Sequence, residues 1–454
     1  MTRKWAGARV LVVGMKKSGM ASVELLARLG ADVRATDLKP LAALGEAGTV
    51  LARLNIPFEL QTPAVFLGCD AVVISPDVPA DLAPLEAARA REVDVIGEVE
   101  LAAPFLKGKT IGVTGTNGKT TTTSLIGHIL RQAGTPVQVG GNIGTPATAM
   151  LDSSREDAWN VLELSSFQLE TIRDFCADIG LALNVTQNHL DRHHTFENYA
   201  AAKAHLFRNM TATGFAILNA DDPVAAGYAS QTEATVEWFS GKHPVDRGAH
   251  LCGEKLLLDG ELLMNAGEIP LRGRHNVENV LAASIAAARA GVGSGDIAAA
   301  VRTFRAVEHR LEFVRALNGI DFYNDSKATS VDAALKALDA FGGGLWVILG
   351  GKDKGLDFSP LREPLRQKAH AALLIGSAAP KLAVELRGAL PLIESGTLDA
   401  AVRYGYRKAR AGDTVLLAPA CACFDQFRSF EHRGDVFKEL VSHLDGGNGH
   451  GTTP

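Results

Sequence analysis

The chain has 454 residues, 46% apolar and 21% charged, with a formal net charge of −5. That length exceeds one compact core and predicts about three domains, while the mild acidity gives no electrostatic reason to bind nucleic acid or an anionic membrane. Five scattered cysteines (Cys69, Cys176, Cys252, Cys421 and Cys423) fit a reducing cytoplasm. No apolar run approaches the roughly 18 residues of a membrane span, and the N-terminal run, broken at Gly14, reads as a strand rather than a signal peptide.

Short apolar strands alternate with amphipathic helices along the chain. Strands are predicted at residues 8–14, 32–36, 71–74 and 93–96, with a first helix ending near Leu29 and a linker at 107–109. A second block opens with a strand at 110–114, a glycine turn and a helix from Lys119, followed by strands at 160–164 and 180–184. The Asp259-Gly260 pair between apolar runs signals a hairpin, and two alanine-rich helices follow near 276–290 and 295–304. A third alternation includes strands at 321–323, 345–349 and 414–418 and a helix over 426–443, ahead of a polar, glycine-rich tail. Such βα alternation predicts parallel sheets covered by helices.

The sequence IGVTGTNGKTTTT at 111–123 carries the most chemistry. A strand runs into a turn with Gly115, Thr116, Asn117 and Gly118, then Lys119, Thr120 and Thr121 open a helix. Backbone N–H groups and the helix N-terminus suit a triphosphate, Lys119 adds charge, and a threonine hydroxyl suits magnesium. Val113 stands where the full Walker spacing wants glycine, so this is a shorter GTNGKT loop. The earlier turn, Gly14 to Gly19 with Asp37 ending the next strand, resembles a dinucleotide fingerprint. Lys16 replaces its middle glycine, which hinders close approach to a pyrophosphate, although Lys16, Lys17 and Ser18 could hold a diphosphate from another angle.

Further along, Glu163 in LELSSFQ and His189 in NVTQNHLDRHH stand at strand ends, where open α/β sheets carry their sites. Magnesium prefers oxygen, so Glu163 beside Thr120 suits an ATP-bound ion and His189 a second one. The His189/Asp191/His193/His194 set leaves zinc as an alternative. Lys203, in YAAAK, reads on its own as a helix-surface lysine.

In order and spacing, GTNGKTT, GGNIG (140–144), LELSSFQLE (162–170), NVTQNHLDRH (184–193), Lys203, GRHNVEN (273–279), EHRLE (308–312), NDSKAT (324–329), GGKDKG (350–355) and PACACFDQF (419–427) resemble the Mur ligase family over nearly the whole chain, nearest to its D-glutamate-adding branch. The resemblance implies an α/β protein of three domains: a Rossmann-like UDP-binding domain over 1–104, a central ATPase of the P-loop type with a mainly parallel sheet over 105–308, and a Rossmann-like amino-acid domain over 309–446, with a disordered tail at 447–454. It implies ATP and two Mg2+ ions as cofactors. Gly115, Thr116, Asn117, Gly118, Lys119, Thr120, Thr121, Asn276, Asn279, Arg310 and Asp325 would bind the nucleotide, and Thr120, Glu163, His189 and Lys203 the metals. Lys203 would be carbamylated to N6-carboxylysine. Ser18 and Asp37 would contact the UDP part and Asn142 and Gln168 the muramoyl part, while Lys327, Thr329, Lys354, Cys423 and Phe430 would surround D-glutamate. Lys119, His189, Lys203 and Lys327 are the expected catalytic group.

The implied reaction joins D-glutamate to UDP-N-acetylmuramoyl-L-alanine through an acyl phosphate, in the cytoplasm, by a monomer that neither enters a membrane nor binds nucleic acid. A sister ligase, a folyl-polyglutamate synthetase and a nicotinamide dehydrogenase are the alternatives. Departures from the family pattern are Lys16, Asp77 in place of glycine, Gln187-Asn188 in place of an acidic pair, Ala418 in place of serine, and Cys423 in place of a serine that holds the amino-acid side-chain carboxylate. A thiol donates hydrogen bonds more weakly than a hydroxyl.

Overall fold

A computed structural model describes residues 4–271, 273–305, 307–353 and 355–444. Lys354 and the predicted disordered tail lie outside the described residues. The chain divides into two compact units, one running to Glu268 and including Glu278–Arg302, the other comprising Ile269–Val277 and the chain from Thr303 on.

The first unit holds two sheets. In the smaller, β1 (Arg9–Val13), β2 (Asp32–Asp37), β3 (Phe58–Leu60), β4 (Ala71–Ile74) and β5 (Asp94–Gly97) lie in the order β3-β2-β1-β4-β5, all parallel. The run RVLVV is apolar at successive positions because both faces of β1 are covered. Val10 and Val12 pack into one core with Val23, Leu26 and Leu51, and Leu11 and Val13 into another with Phe66 and Leu85.

The larger sheet contains β6 (Lys109–Thr114), β7 (Val137–Gly141), β8 (Trp159–Glu163), β9 (Ile179–Ala182), β10 (Phe215–Asn219), β11 (Thr235–Ser240), β12 (Gly248–Cys252), β13 (Lys255–Leu258) and β14 (Glu261–Asn265), in the order β14-β13-β12-β11-β10-β9-β6-β8-β7. Pairing is parallel from β7 to β12 and antiparallel only among the last three strands, where Asp259 (φ 50°) and Gly260 (φ 84°) make the predicted hairpin turn. Strand β6 lies between β8 and β9, so the chain order reverses there. Loops leaving the carboxyl ends at such a switch point diverge and open a crevice.

The second unit carries β15 (Glu312–Leu317), β16 (Ile320–Asn324), β17 (Leu345–Gly350), β18 (Ala369–Ile375), β19 (Leu392–Gly396) and β20 (Thr414–Leu417), in the order β15-β16-β20-β17-β18-β19, antiparallel only at β15–β16. Its last helix spans Phe430–Ser442 rather than beginning at 426. Residues 423–427 form a turn, with Phe427 N donating to Cys423 O, and the Ser429 side chain then caps the helix by accepting from His432 N. The mostly parallel α/β architecture expected from the sequence is present in all three sheets.

Candidate active site

The crevice of the large sheet is built on the GTNGKT loop. Gly118 (φ 82°) occupies the left-handed region that glycine tolerates, and a Cβ there would collide with the Asn279 side chain. The helix Lys119–Gln132 starts immediately after it. Lys119 Nζ donates to the carbonyls of Gly115 (2.8 Å) and Thr116 (2.9 Å). Lys203, on the helix Phe196–Arg208, donates to the same Gly115 carbonyl at 2.8 Å.

Lys203 is 1% exposed, so the surface-lysine reading is wrong. Burial first, then Lys119, pushes its amine far below the usual lysine range, against a pull from Glu163. Two ammonium groups sharing one carbonyl repel, which disfavours the charged form of the buried one. Glu163 ends β8 and is 2% exposed. One carboxylate oxygen accepts from Asn142 Nδ2 at 2.8 Å, and the other, Oε2, is buried with no hydrogen-bond partner among the described residues. A buried carboxylate oxygen left unpaired is costly, and a hard cation is a partner that would relieve it. Thr120 is buried in the first turn of the adjoining helix. His189 follows β9 in a left-handed conformation (φ 53°), and burial and Lys119 push its pKa down to about 4. A carboxylate oxygen at Glu163, a hydroxyl at Thr120 and an imidazole at His189 are donor types that would suit magnesium, although no three His, Cys, Asp or Glu side chains are gathered as a metal site among the described residues.

The structure places the remaining predicted residues unevenly. Asn142 joins the crevice. Gln168 is turned inward, because Ser165 N donates to its Oε1 at 3.0 Å while Ser165 Oγ accepts from Gln168 N, a capping box. Asp37 accepts from Met15 N (2.8 Å) and Lys39 N (2.9 Å), so it also braces the first glycine turn, where Ser18 lies half-buried. Two departures from the family pattern meet there, as Lys16 Nζ pairs with Asp77 Oδ2 at 2.7 Å. The pair is exposed and worth at most about 1 kcal/mol of stability.

Asn276, Asn279, Arg310 and Asp325 do not form one cluster within a unit: Asn279 belongs to the first, the other three to the second. Asp325 is buried, which raises its pKa to about 6 against the opposing pull of Arg310. In the second unit Lys327 stands over the Phe430 ring (5.3 Å), Thr329 N donates to Lys327 O, and Cys423 is buried, which raises its thiol pKa.

Sequence reasoning missed two residues. Arg433 is fully buried, donating to Ser326 Oγ (3.0 Å), Ser326 O (2.7 Å) and Cys421 O (3.2 Å), so it joins the ends of β16 and β20 that carry Lys327 and Cys423. Its setting in a polar helix gave no signal. The other is Asn184, just past β9. Its side chain accepts from Asn117 N (2.8 Å) and donates to Asn117 O (3.2 Å), while its own carbonyl accepts from Thr116 N (2.7 Å). Asn219 Nδ2 and Asp222 Oδ2 hold the neighbouring Leu183 O and Val185 N. Asn184→Leu should leave two backbone groups of the phosphate loop without these partners, at roughly 1–3 kcal/mol each. We expect the KM for ATP to rise about tenfold with kcat little changed, as steady-state kinetics will read.

Comparison with known proteins gives this geometry its context. Residues 113–287 match the Mur ligase middle domain and residues 309–421 the Mur ligase glutamate ligase domain. A UDP-N-acetylmuramoylalanine–D-glutamate ligase of Solibacter usitatus (strain Ellin6076) is 70% identical, with 97% of this chain and 99% of that protein aligned. The chain belongs to the Mur ligase family. A second relative of the same description, from Acidobacterium capsulatum, is 50% identical over 96% of each chain. The fold is also that of two solved structures. A pseudomurein peptide ligase type C from Methanothermus fervidus has a TM-score of 0.60 at 18% identity over 97% of this chain and 100% of that one. A UDP-N-acetylmuramate-alanine ligase from Thermotoga maritima has a TM-score of 0.60 at 19% identity over 96% and 99%. As a Mur ligase, the chain is an ATP-dependent amide-bond-forming enzyme, and the nicotinamide alternative falls away. No helix of the described residues is long and apolar enough to cross a membrane.

Proposed function

We propose that this Mur ligase joins D-glutamate to UDP-N-acetylmuramoyl-L-alanine in peptidoglycan precursor synthesis. Its likeness to relatives of that description supports the substrates. The observation that carries the chemistry is the buried Oε2 of Glu163 beside the phosphate loop, which has no hydrogen-bond partner among the described residues. Glu163, Thr120 and His189, with Lys203 as N6-carboxylysine, would hold two Mg2+ ions, which neutralise phosphate charge as it develops.

In the first step the muramoyl-alanine carboxylate attacks the γ-phosphorus of ATP and the bond to the β-phosphate oxygen breaks, giving acyl phosphate and ADP. Lys119 turns from its loop carbonyls to the transferring phosphoryl group, while backbone N–H groups of the loop orient the chain of phosphates. In the second step the neutral amine of D-glutamate attacks the acyl carbon. The C–N bond forms, phosphate leaves, and the surplus amine proton is released. Ser18 and Asp37 are assigned to the UDP part, Asn142 and Gln168 to the muramoyl part, Asn276, Asn279, Arg310 and Asp325 to ATP, and Lys327, Thr329, Lys354, Cys423 and Phe430 to D-glutamate.

Phosphate release with ATP, Mg2+ and UDP-N-acetylmuramoyl-L-alanine across a panel of amino acids tests this. Turnover confined to D-glutamate is expected, with Cys423 serving in place of serine. Turnover with a different amino acid would keep the ligase and change its substrate.

A further inference from the structure

The side chain that carries an inference beyond these assignments is Arg192, on the short helix Leu190–His193 just after His189. Its guanidinium donates to three successive carbonyls at the carboxyl end of β4 in the smaller sheet, Pro76 O (3.4 Å), Asp77 O (3.1 Å) and Val78 O (3.1 Å). Its guanidinium carbon lies over the Phe167 ring, 4.4 Å from the centroid. Among the described residues it makes no close ion pair; carbonyl dipoles and a π face hold its charge, with the carboxylates of Glu170 and Asp81 within electrostatic reach. Phe167 in turn meets the His189 ring edge-on at 4.9 Å and stacks on His193 at 5.2 Å, and His193 Nε2 lies 2.9 Å from Ser166 Oγ.

The 76–78 segment is itself tied to the first glycine turn, because Ser75 Oγ donates to Gly14 O at 2.7 Å and Val78 N to Ser75 O. A continuous line of contacts thus runs from the Gly14 turn through residues 75–78, Arg192 and Phe167 to His189. His189 needs such support. A non-glycine residue in the left-handed region costs on the order of 1–3 kcal/mol and persists only where its surroundings fix it.

We infer that Arg192 is a positioning residue, one that sets the His189 imidazole in register with the glycine turn of the smaller sheet. The inference rests on the proposed role of His189. Arginine is required because one planar fork must reach three carbonyls while stacking on a ring. A lysine ammonium, a point charge on a flexible stem, does neither. The nearby tie between His194 Nε2 and Asp81 Oδ2 (2.7 Å) joins neighbouring positions of the same two segments through a different pair of side chains, and so serves as a comparison.

The test is steady-state kinetics and thermal melting of Arg192→Ala, Arg192→Lys, Phe167→Leu, Asp81→Ala and His189→Ala. A displacement of about 1 Å at reacting groups lowers turnover by up to about 10²-fold. Arg192→Ala should therefore lose kcat by roughly 20- to 100-fold, with each KM within about threefold. Arg192→Lys should not rescue it, and Phe167→Leu should share the loss. Asp81→Ala should keep kcat within about twofold. Normal kcat in folded Arg192→Ala, rescue by lysine, or an equal loss in Asp81→Ala would each overturn the inference, the last by revealing a simple strut. Full activity in His189→Ala would overturn the site assignment beneath it. A dead His189→Ala beside a fully active Arg192→Ala would overturn the positioning role alone.

Discussion

Lys203→Ala is expected to lower turnover by roughly 10²- to 10³-fold, the scale of removing one charge-stabilising group from a preorganised site, and added formate or propionate to restore part of it. The ammonium form is poorly tolerated where Lys203 sits, enclosed and sharing the Gly115 carbonyl with Lys119. A neutral amine is the form that attacks CO2. With the N–C bond formed and a proton lost from nitrogen, the product would be an anionic carbamate, an oxygen donor where the ammonium is repelled. A small acid fits the space that alanine leaves and returns a carboxylate to it. Phosphate-release assays with and without the acid read the rescue, and mass spectrometry of the intact wild-type protein reads the addition of one CO2. Undiminished activity in the unrescued variant would remove Lys203 from the mechanism.

Glu163→Gln is the second large effect. Glutamine keeps the side-chain length and an acceptor for Asn142 Nδ2, so the loop carrying Asn142 should stay in place. What disappears is the negative charge on the oxygen that has no hydrogen-bond partner among the described residues. Turnover should fall by about 10²-fold or more, and the Mg2+ concentration for half-maximal rate should rise. Without nucleotide and metal the variant should melt no lower than the wild type, because an unpaired buried carboxylate destabilises the folded state. A magnesium titration of the rate and a melting curve together decide it. An unchanged Mg2+ requirement would show that Glu163 is a structural carboxylate.

Much of this enzyme was legible in its sequence. Local chemistry wrote the phosphate loop, since only glycine accepts the backbone at Gly118 and a lysine-threonine start to a helix marks an anion site. Period and composition marked β1, β2, β4 and β5 of the smaller sheet and the Asp259-Gly260 hairpin. The weaker strands, among them β3 and β19 with their exposed positions, left little pattern to read.

By itself, then, the sequence determined the α/β class, the family and the order of the motifs, because these depend on residue type and near-neighbour spacing. Only the tertiary structure decided which polar groups are deprived of water and of one another. Burial made Lys203 a perturbed amine instead of a surface charge, and it left one oxygen of Glu163 without a hydrogen bond among the described residues. Folding brought Asn184 to the backbone of Asn117, 67 residues earlier in the chain, and Arg192 to the carbonyl of Asp77, 115 residues away. Desolvation and long-range hydrogen bonding are properties of packing, and no window of sequence contains them.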